Sequence, residues 1–147
     1  MPASIQSRPT DFGSCFRMHQ QSGSCHCGRV SFELQADIRE AMECNCSICH
    51  RKGAIWFGAD DASLRILSGE SDLSLYQFGT MAAKHYFCGV CGVSTFSRPR
   101  IAPNWWVVNL RCIDGIDLSE LKIYPFDGRN WESAALQYAQ SRKHTAK

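Results

Sequence analysis

The sequence contains no hydrophobic run that is long enough to cross a membrane. Its longest nearly apolar stretches, residues 54–59 and 104–110, fall far short of the roughly 20 residues that a bilayer-spanning helix requires. The first 22 residues are polar and lack the apolar segment of a secretory signal. We therefore expect a cytoplasmic protein that has no membrane partner.

The sequence also has little net charge. Sixteen basic and 14 acidic residues leave a formal charge of +2, which is too small for the general positive field that marks many nucleic-acid-binding proteins. The basic residues concentrate only at Arg51-Lys52 and within residues 98–100, where solvated surface is favoured over ligand contacts. We therefore expect no nucleic-acid partner.

Repeats, low-complexity tracts and convincing linkers are missing as well. A chain of 147 residues is the length of one domain, and it buries enough surface on folding to do without disulfide staples. We predict that residues 23–147 form this domain. Residues 1–22, which include Pro2 and Pro9, are predicted to be a poorly ordered N-terminal segment in which Cys15 is an isolated free thiol.

The chain between these limits is predicted to be mostly strand. Residues 29–35 alternate apolar and polar side chains, as a strand with one buried face does. Short segments rich in β-branched and aromatic residues follow between turn signals, at residues 54–59, 63–68, 73–78, 84–88, 93–97, 105–112 and 121–126. One C-terminal helix is predicted, with Asn130 as N-cap and Trp131, Ala134, Ala135 and Tyr138 on one face. The predicted class is a mainly β fold of short antiparallel strands.

Cysteine, by contrast, is abundant. There are nine cysteines, and seven of them fall into three tight clusters, "CHC" at 25–27, "CNCSIC" at 44–49 and "CGVC" at 88–91. Cysteines one or two residues apart make poor disulfide partners but readily chelate one metal ion. In a reducing compartment, such clusters indicate metal binding or catalysis rather than a disulfide framework.

Two of the clusters combine into one predicted site. The turn "FCGVCG" at residues 87–92 has the C-x-x-C-G pattern of a zinc knuckle, whose glycines allow a tight turn and let backbone N–H groups point at the sulfurs. The segment "GSCHCG" at 23–28 supplies two further thiols. Cys25, Cys27, Cys88 and Cys91 therefore predict a closed, tetrahedral zinc site of the structural type, whose binding energy adds to the folding energy.

Cys44, Cys46 and Cys49 remain as a set of three. With Asn45 as N-cap, Cys46 and Cys49 fall at positions i and i+3 of a short helical turn, where backbone N–H groups favour thiolates. Three protein ligands leave a fourth zinc position open, as in catalytic sites. Three thiolates on Zn²⁺ give a formal charge of −1, so the ion activates water poorly and suits an incoming thiol better. The pattern favours thiol addition or carbon–sulfur bond chemistry over hydrolysis.

Other assignments of these residues stay open. His50 follows Cys49 and would close the second site as a fourth ligand. An iron–sulfur cluster is an alternative, although the spacings match none of the common ferredoxin patterns. Surface or core roles are favoured for His26 and His85, and Cys112 is predicted to be a buried strand residue. If both sites are closed, the protein is a non-catalytic interaction module with two structural zinc ions.

The motifs "GSCHCGRVSFEL", "CNCSICHRKG", "HYFCGVCGVSTFSRP" and "FDGRNWES" occur in this order within residues 22–133. The chain resembles, in these motifs, the family of glutathione-dependent formaldehyde-activating enzymes and centromere protein V. The resemblance implies a β-tent fold with a structural zinc on Cys25, Cys27, Cys88 and Cys91. It implies a second, catalytic-type zinc on Cys44, Cys46 and Cys49.

The resemblance also implies a reaction. The expected activity is that of a carbon–sulfur lyase of the S-(hydroxymethyl)glutathione synthase type, which adds glutathione to formaldehyde. The expected partners are therefore a small-molecule thiol and a small electrophile. Five cations are candidates for binding the carboxylates of glutathione, namely Arg51, Lys52, Lys84, Arg98 and Arg100.

Overall fold

The computed structural model of the chain describes residues 19–145 and contains two β-sheets. The smaller sheet has the strand order β1 (His19–Ser24), β2 (Ser31–Ala36) and β5 (Leu64–Ser68). The larger sheet has seven strands in the order β10 (Lys122–Phe126), β3 (Glu40–Cys44), β4 (Trp56–Ala59), β9 (Trp106–Asn109), β8 (Phe96–Arg98), β7 (Lys84–Cys88) and β6 (Leu73–Tyr76). The helices are α1 (Ser47–Lys52) and α2 (Trp131–Thr145). The predicted mainly β class with a C-terminal helix is confirmed.

Strands β1 and β3 were not predicted from the sequence. Strand β1 has the polar sequence "HQQSGS" and is held by antiparallel pairing with β2 along its whole length. It begins at His19, before the predicted domain boundary at residue 23. Residues 1–18, with Cys15, lie outside the described residues. Strand β3, "EAMEC", carries two glutamates and gives no strand pattern, because its position is set by its neighbours on both sides.

One strand pair differs from the predicted antiparallel arrangement. Strands β3 and β10 pair in parallel, with Cys44 opposite Phe126. The remaining named pairs in both sheets are antiparallel. The parallel pair brings the end of β10, and the turn that follows it, next to the middle cysteine cluster.

The core lies between the two sheets. Phe32 and Leu34 of β2 and Phe96 and Val108 of the larger sheet are fully buried. The rings of Phe32 and Phe96 meet edge to face, with their centroids 5.6 Å apart. Because side chains alternate along a strand, the residues next to Phe96 and Val108 project from the opposite face of the larger sheet.

That opposite face forms the floor of a cavity. Gly58 of β4, Val107 of β9, Ser97 of β8 and His85 of β7 are successive cross-strand partners, so they form one row across four strands. All four residues line the same cavity. The row therefore places one continuous strip of sheet beneath the site described below.

Helix α2 begins at Trp131, as predicted. The side-chain amide of Asn130 donates a hydrogen bond to the carboxylate of Asp127 at 2.8 Å, in the turn before the helix. Ala134 is buried, and the ring of Tyr138 meets Phe126 edge to face. None of the helices within residues 19–145 is long and apolar enough to cross a bilayer.

Candidate functional site

Cys25, Cys27, Cys88 and Cys91 come together in one cluster. Cys25 and Cys27 lie in the connection between β1 and β2, whereas Cys88 ends β7 and Cys91 lies in the turn after it. Their four Sγ atoms are within 4.8 Å of one another, and all four are free thiols. The cluster therefore joins the smaller sheet to the larger one.

The distances in this cluster fit a tetrahedral metal site. The Sγ atoms of Cys25 and Cys27 are 3.6 Å apart, and those of Cys27 and Cys88 are 3.7 Å apart. Four sulfurs about 2.3 Å from one zinc ion would be separated by about 3.8 Å. Backbone N–H groups of Val30 and Val90 each point at a cysteine sulfur at 3.4 Å. Such bonds stabilise thiolates, so the donor set suits a thiophilic cation.

Cys44, Cys46 and Cys49 form a second cluster, with their Sγ atoms also within 4.8 Å of one another. Cys44 ends β3, Cys46 directly precedes α1, and Cys49 lies within α1. The predicted N-cap at Asn45 is wrong by one residue. Cys46 is the N-cap, since its sulfur accepts a hydrogen bond from the backbone N–H of Cys49 at 3.4 Å. Helix α1 ends at Gly53, in the left-handed conformation that glycine favours.

The three thiols of this cluster share their protons unequally. Hydrogen bonds from the thiols of Cys44 and Cys49 lower the pKa of Cys46 to about 2. The same hydrogen bonds raise the pKa values of the two thiols that donate them. The pKa of Cys44 is raised, chiefly by its bond with Cys46, and that of Cys49 is raised by Cys44 and Cys46 and by burial. The hydrogen bonds therefore favour the thiolate at Cys46, and a metal ion that binds all three sulfurs would displace the protons of the other two.

The pKa values of the thiols in the four-cysteine cluster are also shifted to different extents. The backbone N–H groups of Cys27 and Val93 lower the pKa of Cys91 to about 6. The pKa of Cys88 is also lowered, chiefly by the backbone N–H of Cys91. The backbone N–H groups of this turn therefore favour the thiolate form of both sulfurs, which is the form that binds metal.

The turn after β10 holds the three-cysteine segment in place through Asn45. The side-chain amide of Asn45 donates to the carboxylate of Asp127 at 2.9 Å, and its side-chain oxygen accepts from the backbone N–H of Arg129 at 3.1 Å. The Arg129 side chain donates through Nε to the backbone carbonyl of Asn45. The function of Asn45 is therefore to anchor the cysteine loop rather than to cap α1.

Gly128 lies between these anchors and packs directly on the cysteines. A Cβ atom at Gly128 would be 2.6 Å from Cys44 Sγ and 2.6 Å from Cys46 Cβ. Contacts this short force the backbone to move. Glycine is required at this position because the turn approaches the sulfurs so closely.

Replacing Gly128 by alanine should therefore displace the three-cysteine cluster. We expect a loss of about 1–3 kcal/mol in the free energy of unfolding and a weaker second metal site, measured by thermal unfolding and by metal content after dialysis. Gly58→Ala is the matched control, because a Cβ there meets no atom within 4 Å. Equal metal content in the two variants would contradict this role of Gly128.

A cavity of about 630 Å³ adjoins the three-cysteine cluster. The cluster's three cysteines line it, together with residues from α1, α2, the sheet row and the loops around residues 78–83 and 99–105. All four tryptophans of the sequence line it too: Trp56, Trp105, Trp106 and Trp131. Phe78, Phe126 and Tyr138 add further aromatic surface. The cluster therefore opens into a largely apolar chamber with several aromatic side chains in its lining.

Of the three histidines considered as ligands, two are exposed and one is buried. Nδ1 of the buried His85 has no hydrogen-bond partner among the described residues, so it is not a satisfied core histidine there. His50 is exposed and does not belong to the group of metal-ligating atoms formed by the three cysteines. The described structure therefore does not bring His50 together with the three sulfurs, and its role as a fourth ligand stays an untested alternative. His26 is exposed, and His85 is buried. Cys112 is buried, as predicted, although in a helical turn rather than a strand, and burial raises its pKa to about 11.

The basic residues divide into those inside the cavity and those outside it. Arg98 and Arg100 line the cavity, and their guanidinium groups lie 3.5 and 3.8 Å from the ring centroids of Trp106 and Trp131. The predicted solvated surface is therefore wrong for these two. The other three candidates, Arg51, Lys52 and Lys84, do not line it. The Nζ of Lys52 lies 3.2 Å from Ser94 Oγ, and burial lowers its pKa.

Arg129 lines the cavity as well and was missed in the sequence. It is exposed and uses only its backbone N–H and Nε in the hydrogen bonds to Asn45 that the structure gives. Its position in the "FDGRNWES" motif was the available signal, since this motif already carried part of the family resemblance.

The fold and the site together define the class of the protein. It is a mainly β protein that pairs one four-cysteine and one three-cysteine cluster, each with metal-binding geometry. The sequence profile described as glutathione-dependent formaldehyde-activating enzyme matches residues 20–126. The crystal structure of a Rhodobacter sphaeroides protein, a structural-genomics target, is similar with a TM-score of 0.63 and 38% identity, over 70% of this chain and 99% of that one. The chain belongs to the glutathione-dependent formaldehyde-activating enzyme family.

Proposed function

We propose that this protein is a zinc-dependent thiol-adduct synthase, a carbon–sulfur lyase in the reverse direction, that joins glutathione to formaldehyde or another small aldehyde. The observation that carries the proposal is the three-cysteine cluster at the cavity. It has three sulfurs within 4.8 Å and no fourth ligand among the described residues. A site of this kind has room for a ligand atom from the substrate.

The donor set also supports the assignment of zinc. Thiolates select zinc over the oxygen-preferring cations, and Cys25, Cys27, Cys88 and Cys91 have the spacing of a closed zinc site. When bound by three thiolates, zinc supplies an open position that lowers the pKa of an incoming thiol. The four-cysteine cluster is then the structural site, and Cys44, Cys46 and Cys49 hold the catalytic-type ion.

The chain's own residues position the reactants. Cys46 and Cys49 are fixed by α1, and Gly128 and Asn45 fix the turn against them. Tryptophan and phenylalanine side chains line the cavity and keep water from the aldehyde. As glutathione adds, its sulfur forms a bond to the aldehyde carbon, and the thiol proton goes to the aldehyde oxygen.

Arg100 and Arg129 are the cations best placed for the carboxylates of glutathione. Both line the cavity. Arg98 is more fully engaged, because it pairs with Asp61 and donates to the backbone carbonyl of Asn104 at 3.1 Å. Within residues 19–145, the interactions given for the Arg100 side chain are a 3.8 Å contact to Glu132 and its stacking on Trp131. A guanidinium group with free donors can bind a carboxylate through two parallel hydrogen bonds.

Replacing Arg129 by glutamine should raise the KM for glutathione about tenfold, or ~1.4 kcal/mol, with a small change in kcat. The increase in KM should be smaller when the glutathione diethyl ester is the thiol, because the ester has no carboxylate to bind. Arg51→Gln is the matched control: Arg51 lies on α1 but outside the cavity, where it donates to the backbone carbonyl of Ser47. An equal effect in both variants would indicate general electrostatics instead.

The function is tested by exchange NMR on glutathione and formaldehyde at equilibrium, with and without protein shown to contain two zinc ions. The adduct forms unaided, so only acceleration above the protein-free rate counts. We expect clear acceleration by the wild-type protein. Absence of acceleration would exclude formaldehyde chemistry and leave either another thiol or aldehyde as substrate or an interaction module with two structural zinc ions.

A further inference from the structure

The cavity beside the three-cysteine cluster is far larger than formaldehyde. Its volume is about 630 Å³, within the range of roughly 300–1,000 Å³ that holds drug-sized ligands. Formaldehyde has one carbon and one oxygen, so it needs about the volume of two water molecules, ~60 Å³. Most of the chamber therefore serves another part of the substrates.

The lining of the cavity does not suit glutathione alone. Glutathione is a charged peptide without an aromatic group, and cations at the cavity account for its carboxylates. Guanidinium groups already stack on Trp106 and Trp131, but the remaining apolar side chains of the lining would be desolvated by such a peptide without a matching partner. Aromatic surfaces bind other aromatic rings well, by stacking and edge-to-face contacts.

The floor of the cavity leaves space for a flat group. Gly58 lies in the row Gly58–Val107–Ser97–His85, and a Cβ at Gly58 would meet no atom within 4 Å. The φ angle of Gly58 is not positive, so the backbone conformation does not require glycine at this position. The small residue therefore widens the cavity rather than shaping the strand.

A polar strip lies in the same floor. Three buried side-chain atoms of cavity-lining residues have no hydrogen-bond partner in the described part of the chain: Trp56 Nε1, His85 Nδ1 and Ser97 Oγ. Buried polar groups normally have partners. These three atoms are therefore unused hydrogen-bonding groups on side chains that line the cavity.

From this geometry we infer that the electrophile is an aromatic aldehyde, with its ring against the apolar part of the cavity lining and its carbonyl group toward the cysteine cluster. The inference rests on the proposed function and specifies its substrate class. In the reaction a bond forms between the thiol sulfur and the carbonyl carbon, and the carbonyl π bond breaks. The thiol proton ends on the carbonyl oxygen, which gives a hemithioacetal with no oxidant or reductant.

Binding is tested first, without any reaction. Titration of the zinc-loaded protein with 4-nitrobenzyl alcohol, an unreactive analogue, should quench the intrinsic fluorescence, since every tryptophan in the sequence lines the cavity. N-acetyltryptophanamide corrects for absorbance. Gly58→Leu should weaken binding at least tenfold, whereas Gln35→Leu, on an exposed position of β2, should not. Non-saturable quenching, or equal affinity in the two variants, would overturn the inference.

The reaction is tested by exchange NMR with glutathione and either 4-nitrobenzaldehyde or formaldehyde. We expect a larger acceleration for the aromatic aldehyde, and a ratio of the two accelerations that falls at least tenfold in Gly58→Leu. Acceleration with formaldehyde but not with 4-nitrobenzaldehyde would overturn the inference and leave the proposed function standing. No acceleration with either aldehyde would overturn both.

Discussion

Replacing Cys88 by serine should leave the chain largely unfolded in buffer at room temperature. Cys88 is fully buried, its sulfur lies 3.7 Å from that of Cys27, and it accepts a hydrogen bond from the N–H of Val90. Structural zinc sites contribute about 10–16 kcal/mol in small zinc domains, which is as large as the whole stability of a typical domain. The site also joins two segments that are 61 residues apart in sequence, so its loss frees a long loop.

Circular dichroism and zinc content of the purified variant are the measurements. Cys112→Ser is the matched control, because Cys112 is a buried cysteine outside both clusters whose thiol donates to the backbone carbonyl of Ser94 at 3.6 Å. A serine hydroxyl can make the same bond. If Cys88→Ser unfolds cooperatively within a few degrees of Cys112→Ser, the four-cysteine site has no structural role.

Cys46→Ser should abolish the acceleration of glutathione–formaldehyde exchange while the protein stays folded. Cys46 supplies one of three sulfurs and also caps α1, so its loss leaves two ligands and a weakened helix start. Removing a metal-activated nucleophile costs rate enhancements of at least about 10²-fold. Any weakening of the helix start costs less than about 1 kcal/mol, since serine is itself a favoured N-cap residue.

Zinc content separates this effect from general damage. Cys46→Ser should retain one zinc ion per chain instead of two and should keep the circular dichroism spectrum of the wild type. Cys112→Ser again serves as control and should retain both zinc ions and the full exchange rate. Wild-type exchange rates in a Cys46→Ser protein with one zinc ion would remove the three-cysteine site from the reaction.

Several features of the site could be predicted because they are local in sequence. The spacing of Cys46 and Cys49 follows from helix geometry, and the turn at Cys88 and Cys91 follows from its glycines. The predicted N-cap was Asn45, whereas the N-cap in the structure is Cys46. The sequence did not distinguish them because both side chains have a hydrogen-bond acceptor. Only the contact of Asn45 with Asp127 and Arg129, more than 80 residues later, decides between them.

The floor and the walls of the cavity could not be predicted in this way. Gly58, Ser97 and His85 are neighbours only through the register of four strands. The parallel pairing of β3 with β10 places Gly128 against Cys44. Cross-strand register depends on the packing of whole faces, and short segments with similar patterns do not specify their partners.

The sequence by itself determined the family, the mainly β class and the division of seven cysteines into sets of four and three. These depend on ligand spacing and turn chemistry, which act over a few residues. Only the tertiary structure showed that the three-cysteine set opens into a chamber lined by all four tryptophans, and that Arg129 rather than Arg51 faces it. A cavity is enclosed by segments that are distant in sequence, so its size and lining are set by how the sheets and helices pack.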